Sequence, residues 1–414
     1  MSNHKKNIHP LKNNVVFFLL SPFLGFIQAF RFYKEDWAKN GVWLFVIFYG
    51  YTMYRPEIMD SSRYVINLIS LYNLPLTWDV FIASLYSDES DKVDIYQPLI
   101  TFVLSRFTKD GNILFAVFGI VYGYFYSRNI WMVLDLCKRA KIERALWLII
   151  ITFICILGFW ELNGVRMYTA AHVFFYGAFQ YLVNKKKNGI AFVISSILIH
   201  FSFILPIGFF LLFVFVRIPW RILYFLFISS FFISSLNIAA IRTRLESAAP
   251  SFLLPRVTNY TNDEYVESVS DLNESANWYV KIHADSLMWT IAILFTIIYF
   301  SKSSKFKEDK SFSNLFGFSL LILSVGNIIS LLPSGGRYVL LAQLFGVALL
   351  VFYQVRFKVD LFGRWLVLLS PLLYFYIIVS LRISFETISL MTLLGNPILA
   401  LFFELPIPLI NFFK

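Results

Sequence analysis

From Phe312 to Leu332 no side chain carries a charge, and Gly111–Leu134 carries only Arg128. At 1.5 Å per residue, about twenty such residues cover the roughly 30 Å of hydrocarbon in a bilayer. Backbone amides there have no water to pair with, so a chain that crosses repeatedly must close its hydrogen bonds within helices. With 58% hydrophobic and 15% charged residues, little polar surface remains for a soluble domain. The expected fold class is all-α: a single polytopic integral membrane domain over residues 1–414, with about 11–13 membrane helices.

The net charge of +11 is sorted by position along the chain, which speaks of topology and excludes nucleic acid as the natural partner. Six proposed cytoplasmic segments follow the first apolar run and hold nineteen Lys and Arg against six acids. Two long loops, 55–94 and 242–284, hold seven against thirteen and are expected outside the membrane. The N-terminus, MSNHKKNIHPLKNN, is basic but lacks a small-residue cleavage site, so it is expected to stay attached and cytoplasmic. Cys137 and Cys155 lie far apart in basic and apolar surroundings, which implies no disulfide framework.

Taken in order, Leu19–Phe30 is broken by Pro22 and suits an interfacial or re-entrant piece, and Gly41–Tyr54 is the first crossing. Within the first outer loop, Tyr64–Tyr86 mixes aromatic and apolar residues and is expected to lie partly as helix on the membrane surface. Tyr96–Phe107 is short for a span, whereas Ile113–Leu134 crosses inward. Ala145–Trp160 returns outward, ELNGVR sits at the outer face, and Met167–Val183 leads back to Lys185, Lys186 and Lys187. Residues 190–216 fit either one kinked helix or a tight pair turning near His200–Phe203. Arg217 and Arg221 favour the pair, because a hairpin returns them to the cytoplasmic side. Further spans are expected at Ile222–Ile241, Asp285–Phe300, Phe312–Leu332, Tyr338–Tyr353 and Trp365–Leu381, followed by a tail broken at Gly395 and Pro397.

A few polar side chains stand out against this background. Arg166 and Asn163 are three residues apart where the chain re-enters the membrane, so they share a helical face, and Glu161 is a candidate ion-pair partner. A guanidinium stays charged at any physiological pH and can grip a diphosphate through two parallel N–H bonds. Arg337, in PSGGRY, is a second arginine at an outer helix start, where Gly335 and Gly336 would let backbone approach a ligand and Tyr338 would support it. Snorkelling to headgroups is the alternative for both arginines. His200 lies within SSILIHFSF and is a candidate base, or else a packing residue, as His172 is expected to be. Asp60, in DSSRY with Arg63 and Tyr64, directly follows a crossing and is a second candidate base or ligand group. The run DESDKVD at 88–94, with Asp60 and Asp79, could bind a divalent cation or supply a base, but it has foremost the character of solvated loop charge. No Walker motif, dinucleotide fingerprint or metal-ligand spacing occurs, so no cofactor and no metal are expected.

The stretch NGVRMYTAAHVFFYGAFQYLVNKKKNGIAFVISSILIHFSFILPIG resembles the core of the EpsG-like, Wzy-type polysaccharide polymerases, and DSSRY and LLGNPI are also similar to that family. The resemblance implies a glycosyltransferase of the bacterial inner membrane that joins oligosaccharide repeat units for O-antigen, capsule or exopolysaccharide. The nascent chain on undecaprenyl diphosphate would pass to an incoming lipid-linked unit. Arg166, Arg337, His200 and Asp60 would be catalytic, while Asn163, Glu161, Arg63, Tyr64 and Tyr338 would bind substrate. Membrane lipids, a chain-length regulator and a flippase are the partners it allows, and a GT-C-like helix arrangement is compatible with it. Two alternatives stay open: a GT-C-type glycosyltransferase or O-antigen ligase using a polyprenyl-linked donor, and a polysaccharide transporter or flippase with its charges along a midplane path.

Overall fold

The computed structural model describes residues 15–85, 94–138, 142–233, 275–301 and 308–413. The acids at 88, 89 and 91, the N-terminal basic segment and most of the second long loop lie outside these residues.

Among the described residues the protein is all-helical, with one isolated β-bridge between Ser389 and Pro408. The first half carries α1 (Pro22–Arg31), α2 (Ala38–Thr52), α3 (Asp60–Asn73), α4 (Trp78–Leu85), α5 (Tyr96–Leu104), α6 (Gly111–Leu136), α7 (Arg144–Ile156) and α8 (Val165–Leu182). The second carries α9 (Gly189–Ile199), α10 (Ile204–Phe215), α11 (Trp220–Ser230), α12 (Trp278–Phe300), α13 (Lys310–Ile329), α14 (Gly336–Phe357) and α15 (Asp360–Ser384), then the short α16 (Leu390–Leu394) and α17 (Pro397–Phe402). Among the described residues six helical runs are long and apolar enough to cross a bilayer, and α9, the 201–215 segment and α11 are shorter apolar helices. This is a multi-pass membrane protein.

Several breaks fall where the sequence puts them. Ser21 caps α1 and Pro22 occupies its first turn, where a missing N–H costs nothing. Within the first long loop, where helix is expected over part of Tyr64–Tyr86, the chain forms α3 and α4, and Arg106, just past α5, donates to the carbonyls of Leu71 and Leu76. The span expected from Asp285 starts earlier, at Trp278, so the end of the second long loop is already helix.

The apolar run 144–182 is folded back on itself. His172 touches the Leu157 carbonyl at 3.2 Å, whereas residues fifteen apart on one continuous helix would be about 22 Å apart. Gly158 takes an extended conformation and ends α7, a 3₁₀ segment (Phe159–Gly164) continues to the bundle end, and α8 returns. Tyr122 and Tyr126 of α6 stabilise the break by donating to the carbonyls of Gly158 (2.6 Å) and Ile154 (3.4 Å).

Residues 190–216 form a hairpin. Helix α9 lies antiparallel to α8 at close range: a Cβ on Gly177 would meet the Val193 nitrogen at 2.7 Å and Phe192 Cβ at 2.8 Å. Small residues permit such contact in membranes, where packing and not hydrophobicity drives helix association. At His200 the backbone becomes extended (φ −147°, ψ 116°), Phe201–Phe203 make a 3₁₀ turn, and α10 runs back with Pro206 in its first turn. Phe203 and Phe210 pack on Phe174 of α8, at ring distances of 5.9 and 6.1 Å. Phe318 of α13 and Phe345 of α14 complete this cluster. The tip of the hairpin is thereby fixed at the same end of the bundle as the start of α8.

Candidate functional site

Three helices begin around one cavity of about 300 Å³, lined by Asp60, Arg63 and Tyr64 of α3, by residues 161–168, by the hairpin tip at His200, and by Arg337 of α14. Its volume is at the lower end of the range for small-molecule sites. Eight of the nine side chains expected from the sequence line it: Arg166, Arg337, His200, Asp60, Asn163, Glu161, Arg63 and Tyr64. The ninth, Tyr338, donates to the Ser202 carbonyl at 3.1 Å and so ties the start of α14 to the hairpin tip.

Arg166 and Arg337 each occupy the second position of a helix. The positive end of the helix dipole disfavours a cation there by about 0.3–1 kcal/mol and favours an anion. Two helix N-termini and two guanidinium groups around one cavity favour negative charge there, part of which Asp60 and Glu161 on the same wall can already supply. Arg63 adds a third guanidinium and pairs with Asp60 one turn away on α3.

Arg166 is held from behind. Its Nε donates to the Tyr64 hydroxyl at 3.1 Å and its Nη1 to Asp94 at 2.9 Å. The expectation that Glu161 pairs with Arg166 is overturned, because the guanidinium is turned toward Asp94 and Tyr64 while Glu161 sits elsewhere on the cavity wall. Two of the five guanidinium N–H groups are spent in this way, which leaves a bidentate pair for a ligand.

Asp94 is the residue that the sequence did not single out. It is 1% exposed, and besides Arg166 it accepts from the His200 ring at 3.0 Å and from the Phe201 backbone amide at 2.7 Å. Burial alone would raise its pKa, but the His200 hydrogen bond and charge, the Arg166 guanidinium and the Phe201 amide outweigh that and hold the carboxyl down at about 2. An ionised carboxylate only accepts, so His200 Nδ1 carries the hydrogen; in the neutral ring the Nε2 lone pair is then available as a base. Burial pushes the Tyr64 phenol up, against the pull of Arg166, so Tyr64 stays a neutral hydroxyl.

Two further details differ from expectation. Gly335 is required by the turn itself: a Cβ there would run into the Ile329 carbonyl, while Gly336 faces open space. The neighbouring Ser334 takes a left-handed conformation (φ 61°) that completes this sharp turn. Asn163 lies in the 3₁₀ segment and not on α8, yet its three-residue spacing still aligns it with Arg166 on the cavity wall. Its Oδ1 is buried with no hydrogen-bond partner.

Comparison of the chain with family models, with curated proteins and with solved structures gives no match.

Proposed function

We propose that the protein is a polymerase of lipid-linked oligosaccharide repeat units in bacterial surface polysaccharide synthesis. In this reading the cavity end of the bundle faces outward from the inner membrane and the N-terminus is cytoplasmic. Residues 55–94 and 242–284 belong to the outer side, as in a GT-C-like arrangement. The observation that carries the proposal is the pair of arginines, Arg166 and Arg337, each in the first turn of a helix and both lining one cavity. Sugar transfer from undecaprenyl diphosphate expels a diphosphate, whose growing negative charge needs preorganised donors more than it needs a nucleotide or a metal. Arg166 and Arg337 grip that diphosphate, with Asn163 beside them. His200, with its Nδ1 on Asp94, takes the proton from the acceptor hydroxyl. Asp60, Arg63, Glu161 and Tyr64 supply acceptors and donors for sugar hydroxyls. A flippase path would instead call for charges along the midplane, and a cavity at helix starts supports the enzyme over the transporter.

Replacing Arg166 or Arg337 with Ala should abolish polymer and leave single repeat units on lipid, read by gel electrophoresis of the surface polysaccharide and extraction of lipid-linked intermediates. Normal chain length in both variants would contradict the proposal.

A further inference from the structure

Asp94 stands behind the cavity and touches both elements that the proposed chemistry needs. It bonds Arg166 Nη1, His200 Nδ1 and the Phe201 amide, and it is 72 residues from the first and 106 from the second along the chain. It is absent from the cavity wall itself. The hairpin tip is also joined to the start of α5 by the Ile95 amide, which donates to the Leu198 carbonyl at 3.2 Å. A carboxylate placed only to neutralise Arg166 would not require the imidazole and the tip amide as additional donors.

Resting on the polymerase reading above, we infer that Asp94 is a positioning residue for His200: it fixes the ring as the Nδ1–H tautomer with Nε2 aimed at the acceptor sugar, while Arg166 is held at the donor diphosphate by the Tyr64 hydroxyl as well. The acceptor O–H proton passes to Nε2 as the acceptor oxygen bonds the anomeric carbon. The bond from that carbon to the diphosphate oxygen breaks, and its electron pair leaves with the undecaprenyl diphosphate. The imidazolium then returns its proton to water. Asp94 itself gains and loses nothing, which is the role of an orienting carboxylate beside a histidine base.

Asp94→Asn keeps the shape but removes the charge and leaves one acceptor oxygen for the three donors that the carboxylate serves. Purified protein in lipid nanodiscs, given an undecaprenyl-diphosphate-linked repeat unit, should then show kcat lower by about 100-fold, the lower end for loss of a general base. KM and binding of undecaprenyl diphosphate alone should change less than threefold, since Arg166 and Arg337 remain. The Asp94→Asn, His200→Ala double variant should be no slower than His200→Ala, because the two act as one unit. Wild-type turnover in Asp94→Asn, multiplying effects in the double variant, or full activity per folded molecule with only a lower yield would each overturn the inference.

A second measurement does not depend on turnover. In wild-type protein labelled with ¹⁵N-histidine at pH 8, the signal assigned to His200 by its loss in His200→Gln should report the Nδ1–H tautomer. The Nε2–H tautomer there would overturn the inference directly. If the Nδ1–H tautomer is found and the wild-type protein elongates nothing, the polymerase reading fails while the positioning of His200 by Asp94 stands.

Discussion

Two imidazoles are buried in neighbouring helical segments, and they are used in opposite ways. His172, in the middle of α8, is 2% exposed and is enclosed by the ring edges of Tyr122 and Tyr126. Its Nε2 donates to the Leu157 carbonyl at 3.2 Å, and its Nδ1 accepts from Asn129 at 3.1 Å. Both partners are neutral, both ring nitrogens are consumed, and the ring bolts α6 and α8 to the break after α7. His200, at the hairpin tip, is 8% exposed, so burial hardly distinguishes the two. Among the described residues its ring partner is a carboxylate, it lines the cavity, and an arginine shares that carboxylate. The sequence context of the two is equally apolar. What separates a packing histidine from a candidate base here is the charge behind it and the space in front of it.

The sharpest way to break this comparison is to remove each ring in turn. His200→Ala should lower polymer synthesis by roughly 100-fold or more, as expected for a lost general base, with yield and unfolding temperature close to wild type. His172→Ala should do the reverse. It strands one Asn129 N–H, at about 1–3 kcal/mol, and leaves the Leu157 carbonyl only the longer 3.4 Å bond from the Tyr122 hydroxyl, so the variant should melt earlier while each folded molecule elongates normally. Differential scanning fluorimetry with an elongation assay separates the outcomes, and equal activity losses in both would erase the distinction.

Gly177→Leu probes the spacing that links the two regions. A side chain there must push α9 off α8, at a cost of roughly 1–3 kcal/mol for overpacking, and the hairpin tip moves with α9. Stability and elongation should therefore fall together, in contrast to both histidine variants. A drop in melting temperature without loss of elongation would show that the tip is held by other contacts.

The smallest effect belongs to Tyr338→Phe, which deletes the hydrogen bond to the Ser202 carbonyl. About 1 kcal/mol of tip anchoring is at stake, which corresponds to a reduction of a few-fold in elongation rate. A complete loss would instead place the Tyr338 hydroxyl on the substrate.

Much of this was legible in the sequence, and the remainder has a physical reason. Apolar runs, Pro22, Gly395 and Pro397 located the helices and their breaks, because hydropathy and backbone restriction act locally. The basic residues Arg217 and Arg221 favoured the hairpin that the contacts of Phe203 and Phe210 describe. Arg166 and Arg337 stood out because cations at outer helix starts run against the charge sorting. The turn ELNGVR also marked where the run 144–182 folds back, but the extended break at Gly158, inside the span expected over Ala145–Trp160, was invisible to hydropathy, which measures length and not shape. Asp94 was hidden for a related reason. It closes an acidic run whose other members read as solvated, and only a contact across 106 residues buries it. The signal was its position, immediately before the apolar start of α5, where a solvated acid is less at home.

The central claim is that this cavity elongates a glycan on a lipid diphosphate. The most direct test is to reconstitute purified wild-type protein in nanodiscs with a single undecaprenyl-diphosphate-linked repeat unit and resolve the products by size. The account predicts a ladder of lipid-linked oligomers with one undecaprenyl diphosphate released per bond formed, and no ladder with Arg166→Ala. Unchanged substrate after incubation with folded wild-type protein, or a ladder of equal length from the Arg166→Ala variant, would contradict it.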